Sequence, residues 1–203
     1  MNKKSGLLLL SSMGIYYKNI LNKFLNFVGK LKNKNVAVVV NALEDAETNS
    51  YPKSVMNTLL NIGFNQVDFL NLNSDNVKSI HNYDVLYICG GETMRLVKSL
   101  RNTNFSKEIR KYIKNGGVCL TASASSIAFG PNIKSAFEID GEDNDFGEKD
   151  FSGFNITNFY IVPHYKKSFE KEISIFEHKY NVKIERLNNR QAIFIAGNKI
   201  ERI

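Results

Sequence analysis

Short apolar segments alternate with longer amphipathic segments along this chain, and the alternation restricts the possible fold more than any other feature. Residues 6–13 (GLLLLSSM) contain a first apolar run. In residues 15–30, apolar side chains recur at helical spacing with lysines and asparagines between them, which predicts an amphipathic helix. A second apolar run, at 36–40, follows. The order predicts an α/β fold, a three-layer α/β/α sandwich with a mostly parallel central sheet.

The rest of the chain extends this pattern. Further strands are predicted at 67–72, from 84 to the glycines at 90 and 91, within 116–126 and at 159–165, and further helices at 51–62, 93–100, 106–114 and 168–180. Residues 182–187 and 192–196 are predicted to form a hairpin near one edge of the sheet. Acidic side chains crowd residues 132–153. We expect that segment to form an extended or hairpin excursion over the functional site.

Composition limits size and partners. A chain of 203 residues with 43% hydrophobic content can bury one substantial core, so we expect a single domain over residues 1–203. The formal charge of +7 comes from lysines scattered among asparagines, and we therefore expect no nucleic-acid partner.

The apolar run near the start is too short for a signal peptide, and no stretch has the roughly 20 apolar residues that cross a bilayer. A soluble, cytoplasmic protein without membrane contact is expected.

Residues 116–126 (GGVCLTASASS) are the segment that most indicates chemistry. Two glycines precede an apolar run, and only small side chains follow it. This order predicts a buried strand that delivers Ser123 into a sharp turn before a helix. A nucleophile in such an elbow has a strained backbone and needs small neighbours, which the flanking alanines and Ser125 provide. Thr121 is larger than the pattern prefers.

Two other strand ends offer partners for Ser123. One strand ends in Gly90 and Gly91, where backbone amides can face a developing oxyanion. The strand at 159–165 ends at His164. Sites in open parallel sheets form outside the carboxyl ends of the strands. Donors, nucleophile and base are therefore expected to converge in one crevice.

Other residues were candidates for the same chemistry. His81 lies in a polar turn and His178 on a charged helix, which leaves His164 as the base. Without Ser123 nearby, His164 would be interpreted as a core or turn histidine. Cys119 is disfavoured as a nucleophile because it lies inside a buried strand. Neither a metal-ligand cluster nor a dinucleotide-loop spacing occurs, so no metal or cofactor is expected.

Several motifs, in this order, resemble those of a known family. They are Cys89–Val97 (CGGETMRLV), Ser123-Ala124-Ser125, Pro131-Asn132-Ile133, Val162-Pro163-His164-Tyr165 and Asn189–Ile193. They are similar to motifs of the aspartyl dipeptidase (dipeptidase E) family of serine peptidases, which is related to cyanophycinase. The resemblance extends from Gly6 nearly to the C-terminus. It implies a flavodoxin-like, class I glutamine amidotransferase-like sheet and a Ser-His-acid triad.

The resemblance also implies roles for further residues. Counted without gaps from Ser123, Glu138 falls where that family keeps its triad acid. Asp140 is the alternative, because strand residues two apart share a face. The backbone amides of Gly91 and Ala124 are expected to form the oxyanion hole.

Departures from the family pattern bear on activity and specificity. Thr121 and Ser125 stand where the elbow usually has glycines. Glu92 stands where the family has an amide, and Glu92 and Thr93 are expected to contact the substrate. The Glu92 carboxylate would favour an amino group or a basic residue over an acidic one.

Two functions remain open. The first is a serine peptidase, monomer or homodimer, that hydrolyses short peptides. The second is a catalytically inactive member of the family that binds a peptide or small molecule, because the elbow glycines are replaced.

Overall fold

The computed structural model describes residues 6–203, so the basic start of the chain at residues 1–4 lies outside the described residues. The strands are β1 (Leu7–Ser11), β2 (Asn35–Val39), β3 (Gln66–Leu70), β4 (Val85–Ile88), β5 (Val118–Ala122), β6 (Tyr160–Val162), β7 (Ile184–Arg186), β8 (Ala192–Ala196) and β9 (Lys199–Arg202). Within this part of the chain, the large sheet has the order β3-β2-β4-β5-β1-β8-β9, and β6 pairs with β7 in a small second sheet.

Helices cover both faces of the large sheet. They are α1 (Lys18–Val28), α2 (Ser50–Asn61), α3 (Thr93–Leu100), α4 (Phe105–Lys114), α5 (Ala124–Ala128), α6 (Lys134–Glu138) and α7 (Glu170–Tyr180), with 3₁₀ turns at Val77–Asn82 and Lys167–Phe169. Successive strand residues point to opposite faces. In β1, Leu7 and Leu9 pack with α1 and α2, whereas Leu8 and Leu10 pack with α3, α4 and α5. The predicted three-layer α/β/α sandwich is confirmed. Among these helices, none is both long and apolar enough to cross a bilayer.

Parallel pairing brings three strand ends together at one edge. β5 lies between β4 and β1 and is parallel to both, with Thr121 beside Ile88 on one side and Leu10 on the other. The Ser123 N–H donates to the Ser11 carbonyl at 3.0 Å, so the pairing continues past the end of β5. The residues that follow β1, β4 and β5 therefore border one crevice.

The predicted hairpin of residues 182–187 and 192–196 is wrong. β7 pairs in parallel with β6, while β8 pairs with β1 and forms a hairpin with β9. Gly197 has a φ of 58°, and a positive φ suits the tight turn that closes this hairpin. The β7 residue Ile184 packs with α7 instead.

Residues 132–153 do not form the predicted extended or hairpin roof. They contain α6 and one isolated antiparallel bridge, between Asn132 and Ser152. The acidic part of the segment packs beside α3, where Glu148 forms an ion pair with Arg101. Asp150 pairs with Arg101 as well, and Glu148 also pairs with Lys98, so two of these carboxylates neutralise basic side chains there.

Candidate active site

Ser123 lies at a sharp turn between β5 and α5. Its backbone φ of 53° and ψ of −120° are rarely adopted by residues other than glycine. Such a conformation costs about 1–3 kcal/mol and persists only where the surrounding structure holds it. A strained serine at the end of a parallel strand has the geometry of a nucleophile elbow.

Buried hydroxyls hold this elbow in place. Thr121 and Ser125, which occupy the usual glycine positions, are both fully buried. Ser125 Oγ accepts from the Ala122 N–H and donates to the Ile88 carbonyl, each at 2.8 Å. Thr121 Oγ1 lies 2.7 Å from Ser126 Oγ. The two replacements are therefore accommodated by hydrogen bonds that tie the elbow to its neighbours.

The glycine pair after β4 packs directly against the elbow. A Cβ on Gly90 would lie 2.8 Å from the Ala122 carbonyl oxygen and 3.0 Å from Ser123 Cβ, closer than side-chain carbons normally approach. Gly91 has a φ of 142°, which favours glycine, and borders the same crevice as Ser123. Both glycines let the loop after β4 approach the nucleophile.

His164 reaches Ser123 from the end of β6. Its Nε2 lies 2.9 Å from Ser123 Oγ, although 41 residues separate them in the chain. The His164 backbone has a φ of 53°, and its N–H donates to Ser12 Oγ at 2.7 Å. A base is thus held within hydrogen-bond distance of a hydroxyl nucleophile, which is the arrangement that activates serine.

The second ring nitrogen of His164 contacts Asn189, which was not among the predicted site residues. Asn189 Oδ1 lies 2.7 Å from His164 Nδ1, and Ser12 Oγ donates to the same oxygen at 3.2 Å. An amide oxygen that accepts the Nδ1 proton leaves Nε2 free to accept the proton of Ser123. The geometry is therefore Ser-His-Asn. The available signal was a pair of asparagines between two strands, which by itself indicates only a turn.

Glu138, the predicted triad acid, lies elsewhere. It accepts hydrogen bonds from Tyr180 Oη at 2.5 Å and Lys179 Nζ at 3.0 Å. Burial raises the pKa of Glu138, but these bonds outweigh that effect and lower its pKa below the ordinary value. The structure assigns the contact with His164 to Asn189 instead. The ungapped spacing from Ser123 predicted the wrong residue, because a turn far along the chain supplies the side chain that contacts His164.

Asp140, the alternative acid, is not a hydrogen-bond partner of the His164 imidazole within residues 6–203. Burial raises the pKa of Asp140, and the charges of His164 and Lys166 partly offset this. The side-chain partners of the imidazole within residues 6–203 are Ser123, Asn189 and Ser12. Asp140 follows the end of α6, so the expectation that it shares a strand face with its neighbour two residues away does not apply.

The residues expected to contact substrate beside the glycines are either paired with a neighbour or buried. The Glu92 carboxylate forms two hydrogen bonds with Arg95, each at 3.2 Å. Thr93 is only 1% exposed, and a backbone N–H at the start of α3 donates to Glu142 beside it. Neither Glu92 nor Thr93 is among the described residues that line the crevice. The structure therefore does not support their expected contact with substrate in this crevice.

The crevice itself is a cavity of about 420 Å³ that Ser123 and His164 border together. Its walls are the loop after β1, one face of α2, the glycines after β4 and the end of β5. Ala124 follows Ser123 at the start of α5, where the first backbone N–H groups of a helix have no partner within the helix. Gly91 and Ala124 thus flank the nucleophile from two segments.

The buried thiols do not take part in this arrangement. Cys89 and Cys119 are free and completely buried. Burial raises the pKa of the Cys89 thiol to about 12 and that of Cys119 well above the ordinary value. Thiols that stay protonated are poor nucleophiles. Residues 6–203 also contain no group of three or more His, Cys, Asp or Glu side chains arranged to hold a metal ion.

Comparison with known sequences identifies the family of this chain. The sequence model of peptidase family S51 matches residues 7–203. The chain belongs to this family. An uncharacterized peptidase from Pasteurella multocida is 26% identical over 188 residues, which cover 88% of this chain and 89% of that protein. Peptidase E from Nostoc sp. is 28% identical over 140 residues, or 69% of this chain and 55% of that protein. The resemblance inferred from the motifs is confirmed.

Two solved structures share the fold of this peptidase family member. A Listeria monocytogenes protein provisionally named peptidase E superposes with a TM-score of 0.77 at 23% identity, covering 98% of each chain. A peptidase from an acI-B1 Actinobacterium gives a TM-score of 0.68 at 16% identity, covering 100% of this chain and 89% of its own. At these identities the likeness concerns the fold.

Proposed function

We propose that this peptidase is of the serine type and hydrolyses short peptides, with Ser123 as nucleophile, His164 as general base and Asn189 as the residue that orients the base. The observation that carries the proposal is the 2.9 Å contact between Ser123 Oγ and His164 Nε2 at a strained elbow. The cavity beside them supports short substrates, because about 420 Å³ is near the lower end of the roughly 300–1,000 Å³ typical of ligand pockets.

Acylation follows from the positions of these groups. Ser123 Oγ attacks the carbonyl carbon of the scissile bond while His164 Nε2 accepts its proton. Asn189 Oδ1 accepts the Nδ1 proton throughout and keeps the imidazole aimed at the elbow. The backbone amides of Gly91 and Ala124 stabilise the oxyanion, and one such donor is worth about 3 kcal/mol in comparable enzymes.

The second half of the reaction reverses these roles. The protonated His164 gives its proton to the leaving amine, and the carbon–nitrogen bond breaks. A water molecule then attacks the acyl-enzyme ester while His164 accepts its proton, and Ser123 is regenerated when that proton returns to Oγ. A neutral amide holds the tautomer without adding a negative charge, as the asparagine of Cys-His-Asn proteases does.

The alternative, an inactive binding protein, was suggested by the loss of the elbow glycines. Thr121 and Ser125 fit the elbow with satisfied hydroxyls, and Ser123 keeps its strained backbone. A silent family member would have no need to retain this strain together with a base at 2.9 Å. The geometry therefore favours hydrolysis.

Hydrolysis of a dipeptide panel tests the proposal. We expect the wild type to release free amino acids and Ser123→Ala to lose at least about a thousandfold in kcat, because nucleophile and base act as a unit. Ser74→Ala, an exposed serine on the loop after β3, serves as the matched control and should keep wild-type activity. Equal hydrolysis by wild type and Ser123→Ala, or none by either, would exclude the mechanism.

A further inference from the structure

We propose that the cavity beside Ser123 and His164 is a specificity pocket for an uncharged, apolar substrate side chain, such as that of leucine or phenylalanine, next to the scissile bond. The inference rests on the proposed function and adds the substrate class. It departs from the expectation drawn from Glu92, which favoured a basic residue, and from the acidic preference implied by the resemblance to aspartyl dipeptidases.

The walls of the cavity are apolar. One face of α2 supplies Tyr51, Val55 and Leu59, and the loop after β1 supplies Ile15. Tyr87, on β4, also lines the cavity. None of the described residues that line the cavity is Asp, Glu, Lys or Arg, and His164 borders it beside the nucleophile.

Two hydroxyl groups in the cavity wall, those of Thr58 and Tyr51, already have hydrogen-bond partners. Thr58 Oγ1 donates to the Ser54 carbonyl at 2.9 Å within α2. The Tyr51 hydroxyl accepts from the Gly90 N–H at 3.3 Å and interacts with the hydroxyl of Tyr87. Tyr51 lines the cavity and is 37% exposed as a whole residue, while its hydroxyl end contacts the Gly90 backbone. Burial raises the pKa of Tyr51 to about 12, so this wall stays neutral.

Exposed apolar side chains mark the mouth of the cavity. Of the six large hydrophobic side chains that are exposed within residues 6–203, three border this cavity: Met13, Tyr16 and Tyr51. Tyr16 is 76% exposed. Apolar groups gathered around a concave opening are typical of a ligand site, whereas single exposed ones need no explanation.

Cationic side chains lie on the other side of His164. Lys166 and Arg190 line a different recess, which also includes Asn189 and Tyr165. A substrate carboxylate would find its counter-charge there and not in the apolar cavity. Desolvation of an unpaired carboxylate or ammonium in the cavity is unfavourable, while burial of an apolar side chain is favourable.

Two dipeptide series test this inference, X-Ala and Ala-X with X as Leu, Asn, Asp, Phe or Lys. The Leu, Asn and Asp side chains are similar in size, so differences in kcat/KM among them report polarity and charge and not the volume of the side chain. At the position that occupies the cavity, we expect kcat/KM for Leu and Phe to exceed that for Asp and Lys by at least about tenfold, with Asn between them. Equal or higher kcat/KM for Asp or Lys at both positions would overturn the inference.

A matched pair of variants tests whether the cavity wall determines the preference for Leu over Asp. Thr58→Arg places a cation in the cavity wall and should reduce the ratio of Leu to Asp hydrolysis at least about fivefold by the same desolvation argument. Asn57→Arg adds the same charge one residue away on α2, at an exposed position that does not line the described cavity, and should leave the ratio unchanged. Equal effects of both variants, or none from either, would contradict the assignment.

Failure of the proposed function is distinguishable from failure of this inference. A fluorophosphonate that labels Ser123 in a protein preferring Asp or Lys leaves the function standing and overturns the pocket. If the wild type is neither labelled nor active, calorimetric binding of the same dipeptides decides the inference. Tighter binding of Leu and Phe dipeptides supports it, and equal or tighter binding of Asp or Lys dipeptides overturns it.

Discussion

At the scale of single residues, Ser123 and His164 share an unusual feature, because both have a φ of 53°. Positive φ values are unfavourable for residues with a Cβ, and residues kept in them concentrate at functional sites. Here the strain has a geometric result: each side chain points back toward the other across the end of the sheet. Their 2.9 Å contact depends on backbone conformations that neither residue would adopt alone.

The prediction at this scale concerns substitutions of Asn189. Asn189→Asp keeps an acceptor for the Nδ1 proton and adds a negative charge that stabilises the imidazolium, so the acid limb of the pH profile of kcat/KM should move to higher pH. Asn189→Leu removes the acceptor and should lower kcat at least about tenfold, with a smaller change in KM. Steady-state kinetics of the wild type and both variants between pH 5 and 9 measure these changes.

A neighbouring change controls for charge alone. Asn188→Asp adds the same charge at an exposed position whose Oδ1 accepts from the Arg190 N–H. It should move the acid limb less than Asn189→Asp does. Equal shifts, or unchanged kinetics in Asn189→Leu, would show that Asn189 does not orient the base.

At the scale of elements, the contact between the loop after β4 and the elbow decides how accurately the nucleophile is placed. A Cβ at Gly90 would meet the Ala122 carbonyl at 2.8 Å, and backbone must move to relieve the contact. We expect Gly90→Ala to lower kcat/KM about a hundredfold, the scale of loss associated with displacements near 1 Å at reacting groups. The change is measured with the best substrate of the panel.

A substitution at a second glycine distinguishes a loss of folding stability from a displacement of the nucleophile. Gly29 ends α1 with a φ of 76°, and a Cβ there would meet nothing within 4 Å. Gly29→Ala should therefore cost roughly 1 kcal/mol of stability through its backbone conformation and leave kcat/KM unchanged. Comparable losses of activity in the two variants would mean that Gly90 contributes only to folding.

The segment between His164 and Asn189 is held by an ion-pair network. Arg186 contacts Glu170 at 2.9 Å and Glu177 at 3.0 Å, and Tyr165 Oη donates to Glu170 at 2.6 Å. Hydrogen bonds from Arg186 are the largest influence on both carboxylates and hold their pKa values below the ordinary 4.5. Single surface pairs contribute little, but a shared guanidinium links α7 to β7.

The pH dependence of this network has a definite sign. A carboxylate whose pKa is lower in the folded protein stabilises it above the unfolded pKa, and that stability is lost as pH falls through the folded value. The difference in melting temperature between wild type and Arg186→Met should therefore be largest near pH 7 and shrink below pH 4.5. Lys107→Met, an exposed change on α4, is the control. A difference that stays constant or grows in acid would contradict this account.

At the scale of the whole molecule, local patterns in the sequence predicted much of the architecture. The apolar runs identified the central strands, because parallel strands buried on both faces have few polar residues. The pairing of β7 was missed, since an isolated run of three to six residues does not specify which sheet it joins. The small-residue turn and the strand-end histidine indicated Ser123 and His164 because each has a local signature.

The partner of the imidazole lies in a motif that resembled only a late strand of the family and gave no sign of its contact with His164. Asn189 lies in a turn where asparagine is common for conformational reasons, and only the fold brings it to 2.7 Å from His164. Glu138, the acid that the motif spacing indicated, forms an ion pair with Lys179 on α7 instead. The same holds for the apolar cavity, whose walls come from segments far apart in the chain.

The most direct test of the central claim is to treat the folded protein with a fluorophosphonate and map the adduct by peptide mass spectrometry. Our account predicts one equivalent of label on Ser123 in the wild type, none in Ser123→Ala, and much slower labelling in His164→Ala, because the base that activates the hydroxyl is lost. Absence of an adduct on wild-type Ser123, or labelling at the same rate without His164, would contradict it.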